Sequence, residues 1–279
     1  MHKKKQFRNF CILCEEPGLT KEHIWADWLS NHIPRTRQHV RHTASLSFGS
    51  PDEKSLRVES RKGKIDGPGD PHSRKLKVLC KGCNNVWGSR LQDDIKPILI
   101  PLLNGDISGL NERDTPLLSA WIALFVAVAE YSDPPTSAIT QTQRTYLREE
   151  RTAPHDFHIW IGFHDGSEQM VGAYNHFGLT YGPTFVDYAG RIRPNTFPSQ
   201  STAFTVGRLF CLCFSSNRQS PPPWENELKR YPMIKIWPQE EGCVLGTPRD
   251  MTVNECDRVS RIFVPPLQWK DARPISGIR

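Results

Sequence analysis

Apolar positions recur along this 279-residue chain in two regimes. In the first third they are sparse and set among charges. Residues 20–31 are read as a strand end leading into a short helix, with Ile24, Trp28 and Leu29 on one side and Pro34 as its stop. Residues 39–48 and 55–60 are read as strands, and the Gly- and Pro-rich segment 63–71 as a loop. Residues 75–79 (K-L-K-V-L) largely alternate polar and apolar and predict another strand. Trp87, Leu91 and Ile95 then recur at helical spacing, which predicts a helix from Asn84, a suitable cap, to about Leu103 with a break near Pro97.

Beyond the polar stretch 104–114 the regime changes. A helix with Pro116 in its first turn runs to about Tyr131, apolar on nearly every side. A further helix is read over 141–151. Strands are read over 157–163, 172–181, 203–215 and 233–237, and Pro221–Pro223 as a linker. There is no internal repeat. The pattern predicts an α+β protein in two parts, 1–104 and 105–279, the second with a long buried helix and antiparallel strands. The apolar run 117–129 is shorter than the about 20 residues a bilayer span needs, so no membrane partner is expected. The basic start has no apolar core after it, and a cytoplasmic location is expected.

Charge changes this picture by being uneven. Residues 1–100 hold 19 Lys/Arg against 11 Asp/Glu, whereas residues 101–279 hold 17 against 19. The excess of cations in the first third points to a polyanionic partner.

The cysteines supply the chemistry. Cys11-x-x-Cys14 and Cys80-x-x-Cys83 form two knuckles. Thiolates three apart on a tight turn can face one ion, and two knuckles give the four sulfurs that structural Zn²⁺ prefers. In a reducing compartment disulfides are not expected. Cys211 and Cys213 face the same side of a strand and are read as packing residues, as are Cys243 and Cys256. His155, His158 and His164 give no convincing ligand spacing.

Between the knuckles lies Lys21-Glu22-His23-Ile24, followed by W-A-D-W-L, and the second knuckle exits into N-N-V-W-G-S-R-L. The combination C-x-x-C … K-E-H-I … C-x-x-C-N resembles the HNH nucleases, the zinc-stapled branch of the ββα-metal endonucleases, over roughly residues 8–103. The resemblance implies an N-terminal ββα-metal module that hydrolyses phosphodiester bonds, with DNA the expected substrate. It implies His23 as general base, Glu22 and Asn84 as ligands of a catalytic Mg²⁺ or Mn²⁺, and a setting in phage, mobile elements or bacterial defence. Asn85 is read as a cap, a phosphate contact or simply the start of the helix. Arg35, Arg37, Arg41, Arg61, Lys62 and Lys64 in the insert, with Lys75, are expected to grip backbone phosphates. The chain departs from the family pattern twice: His72, Arg74 and Lys75 stand where a middle Asn is usual, and Ala26 replaces a common proline. The second part is expected to serve target recognition, partner binding, homodimerisation or plain stabilisation. The rival readings are a non-catalytic four-cysteine zinc module that binds nucleic acid or protein, and a zinc-stabilised regulatory protein without affinity for nucleic acid.

Overall fold

A computed structural model describes residues 9–33, 42–48, 57–61, 71–167, 170, 172–181, 184–186, 192–194, 197–216, 224–239 and 248–262. The strands in chain order are β1 (Leu19–His23), β2 (His42–Phe48), β3 (Arg57–Arg61), β4 (Lys75–Cys80), β5 (Phe157–Phe163), β6 (Tyr174–Tyr181), β7 (Thr184–Val186), β8 (Ile192–Pro194), β9 (Phe197–Val206), β10 (Leu209–Ser216) and β11 (Ile234–Trp237). The helices are α1 (Ser89–Leu103), α2 (Thr115–Ala129), α3 (Gln141–Glu150), α4 (Glu225–Leu228) and α5 (Val253–Ser260). The architecture is mixed helix and sheet, as the pattern predicts.

Strands β1 and β4 form a two-stranded antiparallel hairpin, with Leu19 opposite Cys80 and His23 opposite Lys75. β4 runs directly into a π-helical segment, Gly82–Gly88, that continues as α1. The helix therefore starts two residues before Asn84, which is not its cap. Its first turn is met instead by the Cys80 sulfur, which accepts from the Cys83 backbone amide at 3.4 Å. Nor does the helix break at Pro97. α1 carries both Pro97 and Pro101, while Leu91, Ile95, Leu99, Leu102 and Leu103 are buried along it. Burial of that stripe offsets the missing amide donors.

Seven strands form the main sheet in the order β11-β5-β10-β9-β6-β2-β3, antiparallel except for the β2–β6 pair. β7 and β8 form a separate ribbon. β2 and β3 come from the insert between the knuckles, yet they pair at the edge of a sheet whose other strands follow residue 150. The expected boundary at residue 104 thus crosses a shared sheet. It crosses a shared core as well, in which Leu13, Leu29 and Leu79 belong to one apolar cluster with α2, Phe157 and Cys211.

α2 is the centre of that core. Every residue from 118 to 129 is buried, which explains an apolar pattern without a polar face. The stretch Thr115–Ser132 has a mean hydropathy of 1.4 and is long enough to cross a membrane, but 83% of it is buried inside the fold. Phe125 of α2 stacks on Phe204 at 3.8 Å and meets the Trp25 ring edge-on at 5.4 Å. α3 starts with a capping box in which Thr140 and Gln143 satisfy each other's backbone amides.

The strand expected over 203–215 is two strands. Gly207, at φ +55°, turns β9 back into β10. A side chain here would meet the Leu103 carbonyl oxygen at 2.6 Å, so glycine is needed for both the turn and the close approach. The turn is hidden in the sequence because both faces of β10 are covered. Cys211 and Cys213 face the α2 core, while Phe210, Leu212 and Phe214 face a second cluster with Trp224, Leu228, Cys256 and Val259.

Candidate functional site

The two knuckles converge. The first is a tight turn in which the Cys11 carbonyl accepts from the Glu15 amide, with Glu15 itself left-handed at φ 60°. The second joins β4 to its helix. Cys11, Cys80 and Cys83 are buried, Cys14 partly so, and all four sulfurs lie within 4.8 Å of one another. Cys14 is 3.5 Å from Cys80 and 3.4 Å from Cys83. A tetrahedral ion with bonds of about 2.3 Å needs sulfurs about 3.8 Å apart, so the cage has the right size for zinc.

Its electrostatics fit a cation too. The hydrogen bond from Cys83 draws the Cys11 thiol down to about 4, aided by the backbone amides around it. The neighbouring Cys11 sulfur and burial push Cys83 up, and burial raises Cys14. Without an ion the Cys11 thiol therefore ionises readily, while Cys14 and Cys83 resist ionising. A metal ion such as zinc removes that repulsion, and soft thiolates select it over hard cations. Cys211, Cys213 and Cys256 are buried, and burial raises each thiol well above its ordinary range. They are packing residues, as expected.

Glu22 and His23 lie at the other end of β1, and Ile24 is fixed to the Arg74 carbonyl at 3.0 Å. Both line a narrow crevice closed by Gln92 of α1 and by Trp121, Leu124 and Phe125 of α2. Burial alone pushes the Glu22 carboxyl up to about 7. Among the described residues nothing donates a hydrogen bond to it. Burial also lowers the His23 pKa, helped by the neighbouring Lys75 and His72 and opposed by Asp27. The imidazole is thus neutral at pH 7. Its Nε2 is 3.6 Å from Asp27 Oδ1.

Asn84 is brought to β1 but does not line this crevice. Its Nδ2 donates to Thr20 Oγ1 at 2.9 Å and to the Lys21 carbonyl at 3.3 Å, which leaves Oδ1 as its free acceptor. Lys75 is exposed opposite His23, and Asn85 is exposed in the first helical turn. Arg61 closes β3, paired with Ala44. Arg35, Arg37, Arg41, Lys62 and Lys64 lie outside the described residues. Among the described residues, the cysteine cage is the sole group of three or more Cys, His, Asp or Glu side chains with converging ligand atoms.

One contributor, Gln92, was missed from sequence, and a second, His72, was marked only as standing where the family's middle Asn is usual. Gln92 Oε1 accepts from Trp28 Nε1 at 3.0 Å and from Trp121 Nε1 at 3.1 Å, which ties β1's exit segment to both long helices at the crevice wall. His72, buried in the turn before β4, stands close enough to His23 to depress its pKa. Gln92 falls on the helical pattern one residue after Leu91, but nothing local marks its two indole partners.

Fold and site together define a mixed α+β protein with a four-cysteine cage that can hold a metal ion such as zinc. No protein family, curated protein or solved structure matches the chain.

Proposed function

We propose that the protein is a metal-dependent HNH-type endonuclease that hydrolyses phosphodiester bonds of nucleic acid, with DNA as the expected substrate and zinc as a structural ion in the cysteine cage. One arrangement carries this reading: an antiparallel hairpin running into a helix, stapled by four thiols at one end and carrying Glu22 and His23 at the other. In this reading His23 is the general base. With Nε2 turned toward Asp27, Nδ1 is the nitrogen left to take a proton from water. The resulting hydroxide attacks phosphorus as the bond to the 3′ oxygen breaks. Its depressed pKa keeps the imidazole unprotonated and ready at neutral pH. Lys75, across the hairpin, supplies a cation for the phosphate. The resemblance assigns Mg²⁺ or Mn²⁺ to Glu22 and Asn84, hard oxygen donors of the kind these ions take; Asn84 is held on Thr20 and Lys21 outside the crevice that Glu22 lines, so Glu22 is the residue of the pair that would hold the ion there. When bound, that ion would neutralise charge on the phosphate and leaving oxygen.

The test is cleavage of plasmid, duplex, single-stranded DNA and RNA with Mg²⁺, Mn²⁺ or chelator, beside His23→Ala. Loss of the base should slow cutting by about 10²–10⁴-fold. Metal-independent cutting, or a His23→Ala variant as fast as the parent, sinks the reading. The second reading is a non-catalytic zinc module that binds nucleic acid or protein. It is favoured by one observation: the Glu22 carboxyl is turned among Trp121, Leu124 and Phe125, where it is half protonated at neutral pH. No cutting of any substrate by folded, zinc-loaded protein would favour it.

A further inference from the structure

A cleft of about 410 Å³ opens beside the cysteine cage, away from Glu22 and His23. Cys14, Cys80 and Cys83 reach its wall, and three arginines surround it: Arg90 from α1, and Arg148 and Arg151 from the end of α3. The two helices are locked together there, because Trp87 Nε1 donates to the Arg148 carbonyl at 2.9 Å. Arg151 closes α3 in the left-handed conformation and is held by Asp94 at 2.6 Å. Arg90 and Arg148 are exposed, and neither forms an ion pair among the described residues. Glu16 is the one carboxylate in the lining. Val86, half exposed, and Trp87 add apolar surface between the cations.

We propose that this cleft binds the sugar–phosphate backbone of a nucleic acid, with Arg90 and Arg148 each taking a phosphate. Three features point to this ligand. A planar guanidinium matches phosphate oxygens two at a time. Two exposed arginines, without ion pairs among the described residues, stand on helices that are tied together at Trp87 and can present that fork. Apolar surface between cations suits a sugar or base lying between successive phosphates. The inference rests on the nuclease reading only for its geometry. Leu19 at the cage end of β1 and His23 at its other end are four residues apart, about 13 Å at roughly 3.3 Å per residue. A duplex covers that in about four base-pair steps of 3.4 Å. One bound strand can thus be gripped at the cleft and presented at the crevice.

The experiment measures binding, not cutting. Zinc-loaded full-length His23→Ala protein is titrated with fluorescent DNA and RNA, each single-stranded and duplex, over a range of salt. Arg90→Gln/Arg148→Gln is then compared on the same background. Both substitutions keep the backbone and the Trp87 clamp. The expected result is weaker binding and a salt slope on duplex shallower by about 1.8, roughly 0.9 for each lost phosphate contact. Zinc content should be unchanged. An unaltered slope, no binding of any probe by the parent, or stronger competition by polyglutamate than by nucleic acid overturns the proposal. Loss of zinc from the double variant also overturns it, since the arginines would then serve to offset thiolate charge. The two readings fail separately: if the parent never cuts but the cleft variant loses binding, the nuclease falls and the cleft stands.

Discussion

Replacing Glu22 with glutamine should stabilise the protein at about pH 8 and leave its stability unchanged at about pH 4. The cause is desolvation. The Glu22 carboxyl sits at about 7 instead of 4.5 because the crevice of Trp121, Leu124 and Phe125 disfavours its charged form. A raised carboxyl pKa means the folded state holds the proton more tightly than the unfolded chain does. Stability therefore falls as pH rises from 4.5 to 7 and is level beyond. A shift of that size corresponds to about 3 kcal/mol, and the partial exposure of the carboxyl reduces the expected effect to about 2 kcal/mol. Glutamine has nearly the same shape and never ionises. The difference between variant and parent should grow from near zero to about 2 kcal/mol across that window, read from urea unfolding at several pH values without added Mg²⁺. Other titrating groups cancel in the difference. Parallel pH profiles, or a variant less stable than the parent at about pH 8, would refute the argument.

The same pair of proteins separates a desolvated carboxyl from a metal ligand. Binding of a divalent ion requires the carboxylate, so added Mg²⁺ should raise the parent's stability at about pH 8. The gain approaches about 2.7 kcal/mol at a hundredfold excess over the dissociation constant. The glutamine variant should gain little. Equal responses would remove Glu22 from the proposed ion site while leaving the desolvation argument intact.

Other substitutions probe the cage and the core. Cys83→Ser should abolish stoichiometric zinc binding, counted by native mass spectrometry, because the cage closes only with four sulfurs; retained zinc would show that three suffice. Glu130→Ala should cost about 3–5 kcal/mol by denaturant unfolding, since the buried Glu130 pairs with the buried Arg144 and accepts from the Ala138 and Ile139 amides; a loss below about 1 kcal/mol would contradict a desolvated pair. Gly207→Ala should cost about 2–4 kcal/mol, combining the left-handed backbone with contact against Leu103; a neutral result would mean the turn relaxes freely.

Legibility from sequence followed the range of the interactions. Residues 157–163 read as a strand because apolar and aromatic residues fill it, and the strand spans those residues. The core helix read correctly because it is apolar all round. The cysteine knuckles read correctly because three-residue spacing is a local geometric requirement, and four cysteines in two knuckles leave few alternatives. What failed depends on distant partners. The β9–β10 turn lacks any polar break because both faces are covered. The helix start shifted ahead of Asn84 because a cysteine sulfur, not an asparagine, meets the first turn. The arginines of the cleft are separated by up to sixty residues and converge only because α3 docks on α1 through Trp87.

The same distinction bears on what the second half of the chain does for the site. α2 supplies Trp121, Leu124 and Phe125 to the crevice in which Glu22 is desolvated. Trp25, two residues after His23, is buried against Phe125 and donates its indole N–H to the Thr205 carbonyl at 3.2 Å. Gln92 is gripped by one tryptophan from each half, Trp28 and Trp121. The segment leaving β1 is therefore fixed by residues that lie far downstream, and the hairpin alone does not determine where Glu22 and His23 point. Residues 105–279 meet the first hundred residues in several places, at Trp87 and Asp94 among them. The contacts they make at Trp25, Gln92 and the wall of the crevice surround Glu22 and His23, so the protonation of Glu22 and the setting of His23 are properties of the whole chain.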